Sequence, residues 1–309
     1  MSDLRAAFGT RLKTAEPLAR YTSARIGGPA DFLAAADSAG ELAELVRSAW
    51  RLGFQPVILG GGSNVLVSDA GVRGLVILNR ARAIEFHAAS EQGQPSVWAE
   101  SGVNLGSLAR QCGARGLAGL EWAATVPGTL GGAVFGNAGA HNGDLAGNLV
   151  LAEILQQDGT VRRWSQAELG FAYRTSRLKQ LKAQGRWHVV LAAGLALSAG
   201  QPEALQAKVD QFVAHRKRTQ PPGASMGSMF KNPPGDYAGR LIEAAGLKGA
   251  RLGQVEISPL HANFFVNLGQ GRADDVLALI HQAHAAVLHQ FGVDLELEVE
   301  LAGDWGRQC

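Results

Sequence analysis

The sequence predicts an α+β fold assembled from more than one module. Three observations predict it. A helix-period stretch runs into a short apolar strand and three glycines near residue 60; strand patterns dominate residues 75–200; and the segment after 200 changes to long helices followed by strict alternation. With 309 residues, 46% hydrophobic and 18% charged, the chain is long enough for two or three packed modules and too apolar to be disordered.

From Ser38, apolar Leu42, Leu45, Val46, Ala49 and Leu52 recur at helical spacing, with Ser38 and Glu41 placed for a capping box and Gly53 as the stop. QPVIL at 55–59 then reads as a buried strand entering Gly60, Gly61 and Gly62, and a second apolar run follows. LVIL, IEFHA and SVWAES predict three short strands between 75 and 101, and Leu105, Leu108, Ala109 and Cys112 predict a short helix ending near Gly116. Asp158-Gly159, central to the stretch from Ile154 to Trp164, signals a hairpin, and WHVVLAAGLAL from Trp187 reads as another strand. Leu205, Val209, Phe212 and Val213 mark the next helix, before a Pro-, Gly- and Ser-rich loop that reaches Asn232 and Pro233. The last long helix has Val276, Leu277, Ile280, Val287, Leu288 and Phe291 on one stripe and Gly292 as a left-handed cap. The final segment alternates, predicting a strand with Val293, Leu295, Leu297, Val299 and Leu301 on one face and Asp294, Glu296, Glu298 and Glu300 on the other.

Bulk properties exclude several classes. A net charge of +2, from 29 basic and 27 acidic residues, gives no case for nucleic-acid binding. Two cysteines, Cys112 in a helix pattern and Cys309 at the end, argue against a disulfide framework and for a reducing compartment. The amino terminus lacks the apolar centre of a signal peptide and no segment is apolar enough to span a bilayer, so cytoplasmic residence without membrane insertion is expected. No metal-ligand cluster is evident, and His141, His261 and His284 read as surface or satisfied core residues.

The forty glycines concentrate in a few loops. Gly60, Gly61, Gly62, Ser63 and Asn64 can wrap a pyrophosphate with main-chain N–H groups and two side-chain donors, positive backbone angles being expected at Gly61; a plain tight turn is the alternative. The loop matches neither the GxGxxG dinucleotide spacing nor a Walker loop. The apolar, small-residued stretch 116–144 holds Pro127, Gly128, Thr129, Gly131 and Gly132, which would let backbone approach a flat ring and a diphosphate, with Asn137 as a directed amide; a tight helix–sheet contact is its alternative. Arg174, between Tyr173 and Ser176, can fork onto a carboxylate or simply be exposed. Ser228 follows a glycine that lets its hydroxyl project from a bend, with Lys231 and Asn232 close behind, although most such serines only form turns. The final carboxylates read as a solvated face from which one could point inward.

In order and wording these segments resemble the UDP-N-acetylenolpyruvoylglucosamine reductases (MurB). YTSARIGGPAD, LGGGSNVLVSD, GLEWAATVPGTLGGAVFGNAGA, YRTSRLK, QPPGASMGSMFKNP, AGRLIEAAGLKG, HANFFVN and LELEVEL follow one another as in that family, over nearly the whole chain. The resemblance implies a vanillyl-alcohol-oxidase-like (PCMH-like) FAD-binding region in two parts, 1–78 and 79–200, with the C-terminal strand able to join the first. A substrate-binding domain at 201–309 completes it. The resemblance further implies non-covalent FAD, NADPH as hydride donor, and UDP-N-acetylglucosamine enolpyruvate as substrate in cell-wall precursor synthesis. Arg174 and Glu298 would support the charge developing on the substrate carboxylate, and Ser228 would give the proton. Tyr173, Lys231, Asn232 and Arg216 are expected at the substrate, the last in a basic run with Lys217 and Arg218. Short spacing after Arg174 suits the shorter subtype, and a monomer is expected. Ala224, Met226 and Glu300 depart from the usual family residues. A flavin-dependent oxidase of the same fold and a nonenzymatic nucleotide-sugar binder are the rival readings.

Overall fold

The computed structural model describes residues 8–88 and 93–306; Cys309 lies outside them. The chain divides into two compact units. One comprises Ala34–Gly61 and Leu75–His215 together with the residues up to Leu12, and the other Lys13–Leu33, Gly62–Gly74 and Arg216–Cys309.

In the first unit the helix Ala39–Arg51 buries Leu42, Leu45, Val46 and Ala49 of the expected stripe, with Ala43 beside them, while Leu52 is the C-cap and only half-buried. The Ser38 hydroxyl accepts from Glu41 N at 3.1 Å, but the Glu41 carboxylate accepts from Asp37 N at 2.8 Å rather than from Ser38, so only half of the expected capping box forms. The strand Val57–Leu59 runs parallel to the later part of Val72–Asn79, with Ile58 opposite Ile77. A five-stranded antiparallel sheet follows, in the order Val161–Ser165, Leu149–Leu155, Val189–Ala196, Ser96–Glu100 and Ile84–His87. Its central strand, Val189–Ala196, is almost wholly buried, as a strand covered on both faces must be. The helix Leu105–Ala114 packs Leu105, Leu108, Ala109 and Cys112 into the same core. Burial pushes the Cys112 thiol up to about 12, which leaves it an inert core residue.

The second unit has a four-stranded antiparallel sheet in the order Ala224–Ser228, Phe264–Asn267, Val255–Ile257 and Arg251–Leu252. The helices Ala238–Ala244 and Ala273–Phe291 pack on its core, and Gly292 closes the longer one at φ +68°, the expected left-handed cap. The alternating end of the chain is not one long strand. Only Glu300–Ala302 is regular, pairing in parallel with Val65–Val67. Before it, residues 296–298 meet 229–231 through a single bridge, Phe230 with Leu297, so only Leu295 and Val299 of the expected apolar face are buried. Among the described residues no helix is long and apolar enough to cross a membrane.

Candidate active site

The glycines of the first unit meet each other. A β-carbon on Gly61 would lie 3.0 Å from Gly128 Cα, and one on Gly60 would collide with the Thr129 side chain. A β-carbon on Gly131 would lie 2.8 Å from Ser101 Cβ, and Gly131 N donates to Ser101 O at 2.8 Å. Two stretches far apart in sequence are therefore stacked main chain to main chain, a contact no side chain could share. Positive φ occurs at Gly128 (+106°) and Gly62 (+58°), not at Gly61 as expected; close approach, not backbone angle, makes Gly61 obligatory. A β-carbon on Gly132 would meet, beyond its own helix and among the described residues, the Thr129 hydroxyl alone, at 3.8 Å. This bare cradle fits a group bound through main-chain contacts, and so fits a flavin dinucleotide.

Asn137 serves the protein itself. Buried in the left-handed region at φ +47°, it gives its two amide hydrogens to Asp144 Oδ2 at 3.2 Å and Ala172 O at 3.1 Å, and accepts from Ala146 N at 3.0 Å. These bonds correct its expected role as an amide aimed at a ligand. Their effect is to anchor the turn that carries Tyr173 and Arg174. Ser176, wholly buried, holds the other side of that turn by donating to Phe135 O at 2.6 Å. Arg174 is itself left-handed, at φ +54°, with Nη2 donating to Gly139 O at 2.7 Å and its guanidinium 5.1 Å from the Tyr173 ring centre. Strain of this kind at a non-glycine residue persists only where the surroundings fix it. Tyr173 is 52% exposed. His141 stacks on Phe212 at 4.1 Å and shares a 3.2 Å hydrogen bond with Thr125, a satisfied position as expected.

In the second unit the strand bearing Ser228 has a bulge. Ser225 opposes Val266 and Ser228 opposes Phe264, so three steps on one strand match two on the other, and Gly227 at φ +80° takes up the extra residue. The bulge re-aims the half-buried Ser228 side chain, whose hydroxyl makes no hydrogen bond with the described residues. Immediately after it the backbone is fixed on both edges. Met229 N donates to Asn263 O at 2.9 Å, while Met229 O accepts from Glu298 N at 2.8 Å. Asn263, 2% exposed, accepts from Phe230 N at 2.9 Å and donates to Phe230 O at 2.8 Å. Asn64 Nδ2 donates to Glu298 O at 3.1 Å, so this amide, expected at a pyrophosphate, supports the glutamate segment. Ser228 and Glu298 thus belong to adjoining, hydrogen-bonded segments.

Lys231 N donates to Glu296 O at 2.8 Å, and its ammonium pairs with the Glu296 carboxylate; the lysine side chain is 12% exposed and the glutamate 72%. Asn232 Oδ1 accepts from Ala238 N at 3.1 Å, at the start of the helix Ala238–Ala244. Arg216 lies in the last turn of the helix Pro202–Thr219, where burial lowers its pKa. Sequence reasoning missed Asn263. The HANFFVN segment contains it, but a single asparagine in an apolar strand has no periodic signal that separates it from a surface residue.

A family profile described as the C-terminal domain of UDP-N-acetylenolpyruvoylglucosamine reductase matches residues 218–302, and one described as an FAD binding domain matches residues 30–165. The chain is 46% identical over 292 residues to the UDP-N-acetylenolpyruvoylglucosamine reductase of Chloroflexus aggregans, covering 94% of this chain and 97% of that one. It is 47% identical over 289 residues to the protein of the same description from Rubrobacter xylanophilus, covering 94% of each. Among solved structures it is similar to the UDP-N-acetylenolpyruvylglucosamine reductase (MurB) of Thermus caldophilus, with a TM-score of 0.77 and 35% identity over 94% of this chain and 98% of that one.

Proposed function

The chain belongs to the family of UDP-N-acetylenolpyruvoylglucosamine reductases, and from that premise we propose that it reduces UDP-N-acetylglucosamine enolpyruvate to UDP-N-acetylmuramate with NADPH as hydride donor. It is an FAD-dependent oxidoreductase of α+β fold. Bound FAD supplies a centre that accepts a hydride from NADPH and returns it to the terminal carbon of the enolpyruvyl group.

The chain's own residues do the rest. Gly60, Gly61, Pro127, Gly128, Thr129, Gly131 and Gly132 hold the flavin dinucleotide non-covalently through main chain, with Gly62 and Ser63 in the same role. As the hydride reaches the terminal carbon, negative charge gathers on the neighbouring carbon and its carboxylate. Arg174, locked by its turn, takes that carboxylate, and Glu298 in its protonated form donates a hydrogen bond to it. The Ser228 hydroxyl then gives its proton to the carbon, which a serine can do because the carbanion is strongly basic. Tyr173, Lys231, Asn232 and Arg216 bind the remainder of the substrate, the arginine at the diphosphate. The product serves peptidoglycan synthesis, and hence cell division and shape, in the cytoplasm.

The observation that supports this reading best is the bond from Glu298 N to Met229 O, which ties the backbone of the glutamate to the residue that follows Ser228. The test is an anaerobic one. Protein reduced by NADPH should regain its yellow colour on mixing with UDP-N-acetylglucosamine enolpyruvate, and in its absence should stay bleached. Recolouring by oxygen alone, with none by the enolpyruvyl sugar, would make the protein an oxidase instead.

A further inference from the structure

On the first unit, the end of the hairpin strand Val161–Ser165 forms a cleft of about 190 Å³ that none of the residues proposed for flavin or substrate lines. Arg162 and Trp164, two apart on that strand, share one face and line it with Glu168, Arg177, Arg186 and His188. The cleft is assembled by short-range rules. Ser165 and Glu168 form a complete capping box that turns the chain sharply after the strand, and Ser176 caps the helix Arg177–Ala183 that brings Arg177 back. The Arg177 guanidinium lies 5.8 Å from the Trp164 ring centre, and the His188 ring 5.5 Å from it.

Two features of this cleft lack an internal explanation. Trp164 is 7% exposed, yet its Nε1–H has no hydrogen-bond partner, and the buried Nδ1 of His188 has none either. A buried tryptophan N–H nearly always finds an acceptor. Charge is also unmatched. Arg162 is 3.6 Å from Glu168, whereas Arg177 and Arg186 make no ion pair with any described residue. Three guanidiniums against one carboxylate leave a net charge of two around a space just large enough for a small tetrahedral group. Burial lowers the His188 pKa, and the Arg186 and Arg177 charges act in the same direction, against a hydrogen bond to the Arg186 backbone and the Asp158 charge, so the ring adds little positive charge to that of the guanidiniums.

We propose that this cleft binds a phosphoryl dianion, either free orthophosphate or the phosphate of a small monoester, clamped by Arg177 and Arg186 and accepting from Trp164 Nε1. Guanidinium forks match phosphate oxygens two at a time, and the indole N–H supplies a third direction, which is why a tetrahedral dianion suits the arrangement better than a planar carboxylate.

The experiment uses the flavin-loaded protein at low ionic strength, with orthophosphate and glycerol 3-phosphate as probes in separate calorimetric titrations. Saturable one-to-one binding with Kd of about 1 mM or below is expected for at least one probe. Binding of the monoester tenfold tighter than orthophosphate would identify a metabolite as the source, and equal binding would identify free phosphate. Arg177→Ala and Arg186→Ala should each weaken binding at least about tenfold, as for loss of a charge-assisted hydrogen bond, and Trp164→Phe should weaken it severalfold while abolishing any fluorescence change on titration. Each variant is first checked for unchanged flavin content and thermal unfolding. A well-folded double variant of Arg177 and Arg186 that binds as wild type would overturn the proposal. So would absence of saturable heat with both probes, or selective binding of succinate in their place.

Discussion

Replacing Asn263 by alanine isolates what fixes the serine segment. The side chain makes two hydrogen bonds, both to Phe230, whose N–H and C=O are buried with it. Truncation leaves one donor and one acceptor without partners at a position only 1% exposed. Each such group costs about 1–3 kcal/mol, so the variant should lose about 2–6 kcal/mol of a total stability of order 5–15 kcal/mol. Asn263→Asp keeps an acceptor for Phe230 N but turns a negative charge toward Phe230 O, and should be no better than alanine. Urea unfolding followed by circular dichroism measures the stability loss, and stopped-flow absorbance measures function. Flavin bleaching by NADPH should persist in the variant, while recolouring by the enolpyruvyl sugar slows, because the displaced Met229–Phe230 backbone carries Ser228 with it. A loss below about 1 kcal/mol with both half-reactions intact would refute the assignment of Asn263 as the positioning residue.

Three further outcomes are expected. In Ser228→Ala, bleaching by NADPH should proceed at nearly the normal rate while turnover falls by about 10² to 10⁴, the range for a positioned general acid; wild-type turnover in stopped flow would reduce Ser228 to a turn former. Arg174→Lys and Glu298→Gln should each slow recolouring about a hundredfold without slowing bleaching, since the charge they are proposed to stabilise exists only in the second half-reaction; equal slowing of both phases would point to a damaged cofactor site. Gly61→Val should strip flavin from the protein, measured by the ratio of flavin to protein absorbance, because its side chain would enter the 3.0 Å contact with Gly128. Gly40→Ala, on the helix Ala39–Arg51, where a β-carbon would make only an ordinary 3.9 Å contact with the Ser38 hydroxyl, should leave that ratio unchanged.

The elements that sequence periodicity located are those whose burial depends on neighbours along the chain. The stripe Leu42, Leu45, Val46 and Ala49 buries as its spacing requires, and Asp158-Gly159 turns the hairpin of Leu149–Leu155 with Val161–Ser165. Alternation failed at the chain end for a physical reason. A period of two states which residues share a face, but a strand also needs a partner edge, and residues 296–298 find only the short segment 229–231, past the bulge that ends at Ser228. The same limit applies to glycine. Composition marked Gly60 to Gly62 and Gly128 to Gly132 as unusual, yet it could not say that Gly62 needs both its backbone angle and its lack of a side chain, while Gly61 needs only the latter.

The polar residues follow the same division. Asn64 and Asn137 were noticed because they sit in glycine-rich loops, where an amide is most naturally read as a ligand donor. Both bind main chain, Asn64 that of Glu298 and Asn137 that of Ala172. Each therefore stands one step behind a residue assigned to the reaction: Asn64 behind Glu298, Asn137 behind the Arg174 turn, and Asn263 behind Ser228. A group that meets developing charge at a substrate must be fixed to within a fraction of an ångström, and a side chain on a loop lacks that precision unless its backbone is tied. A buried asparagine provides this because it bonds one N–H and one C=O of a neighbouring segment at once, as Asn263 does to Phe230. This supporting role is invisible to motif reasoning, since what these residues touch is backbone of any sequence, and only the hydrogen-bond partners in three dimensions distinguish them from turn formers.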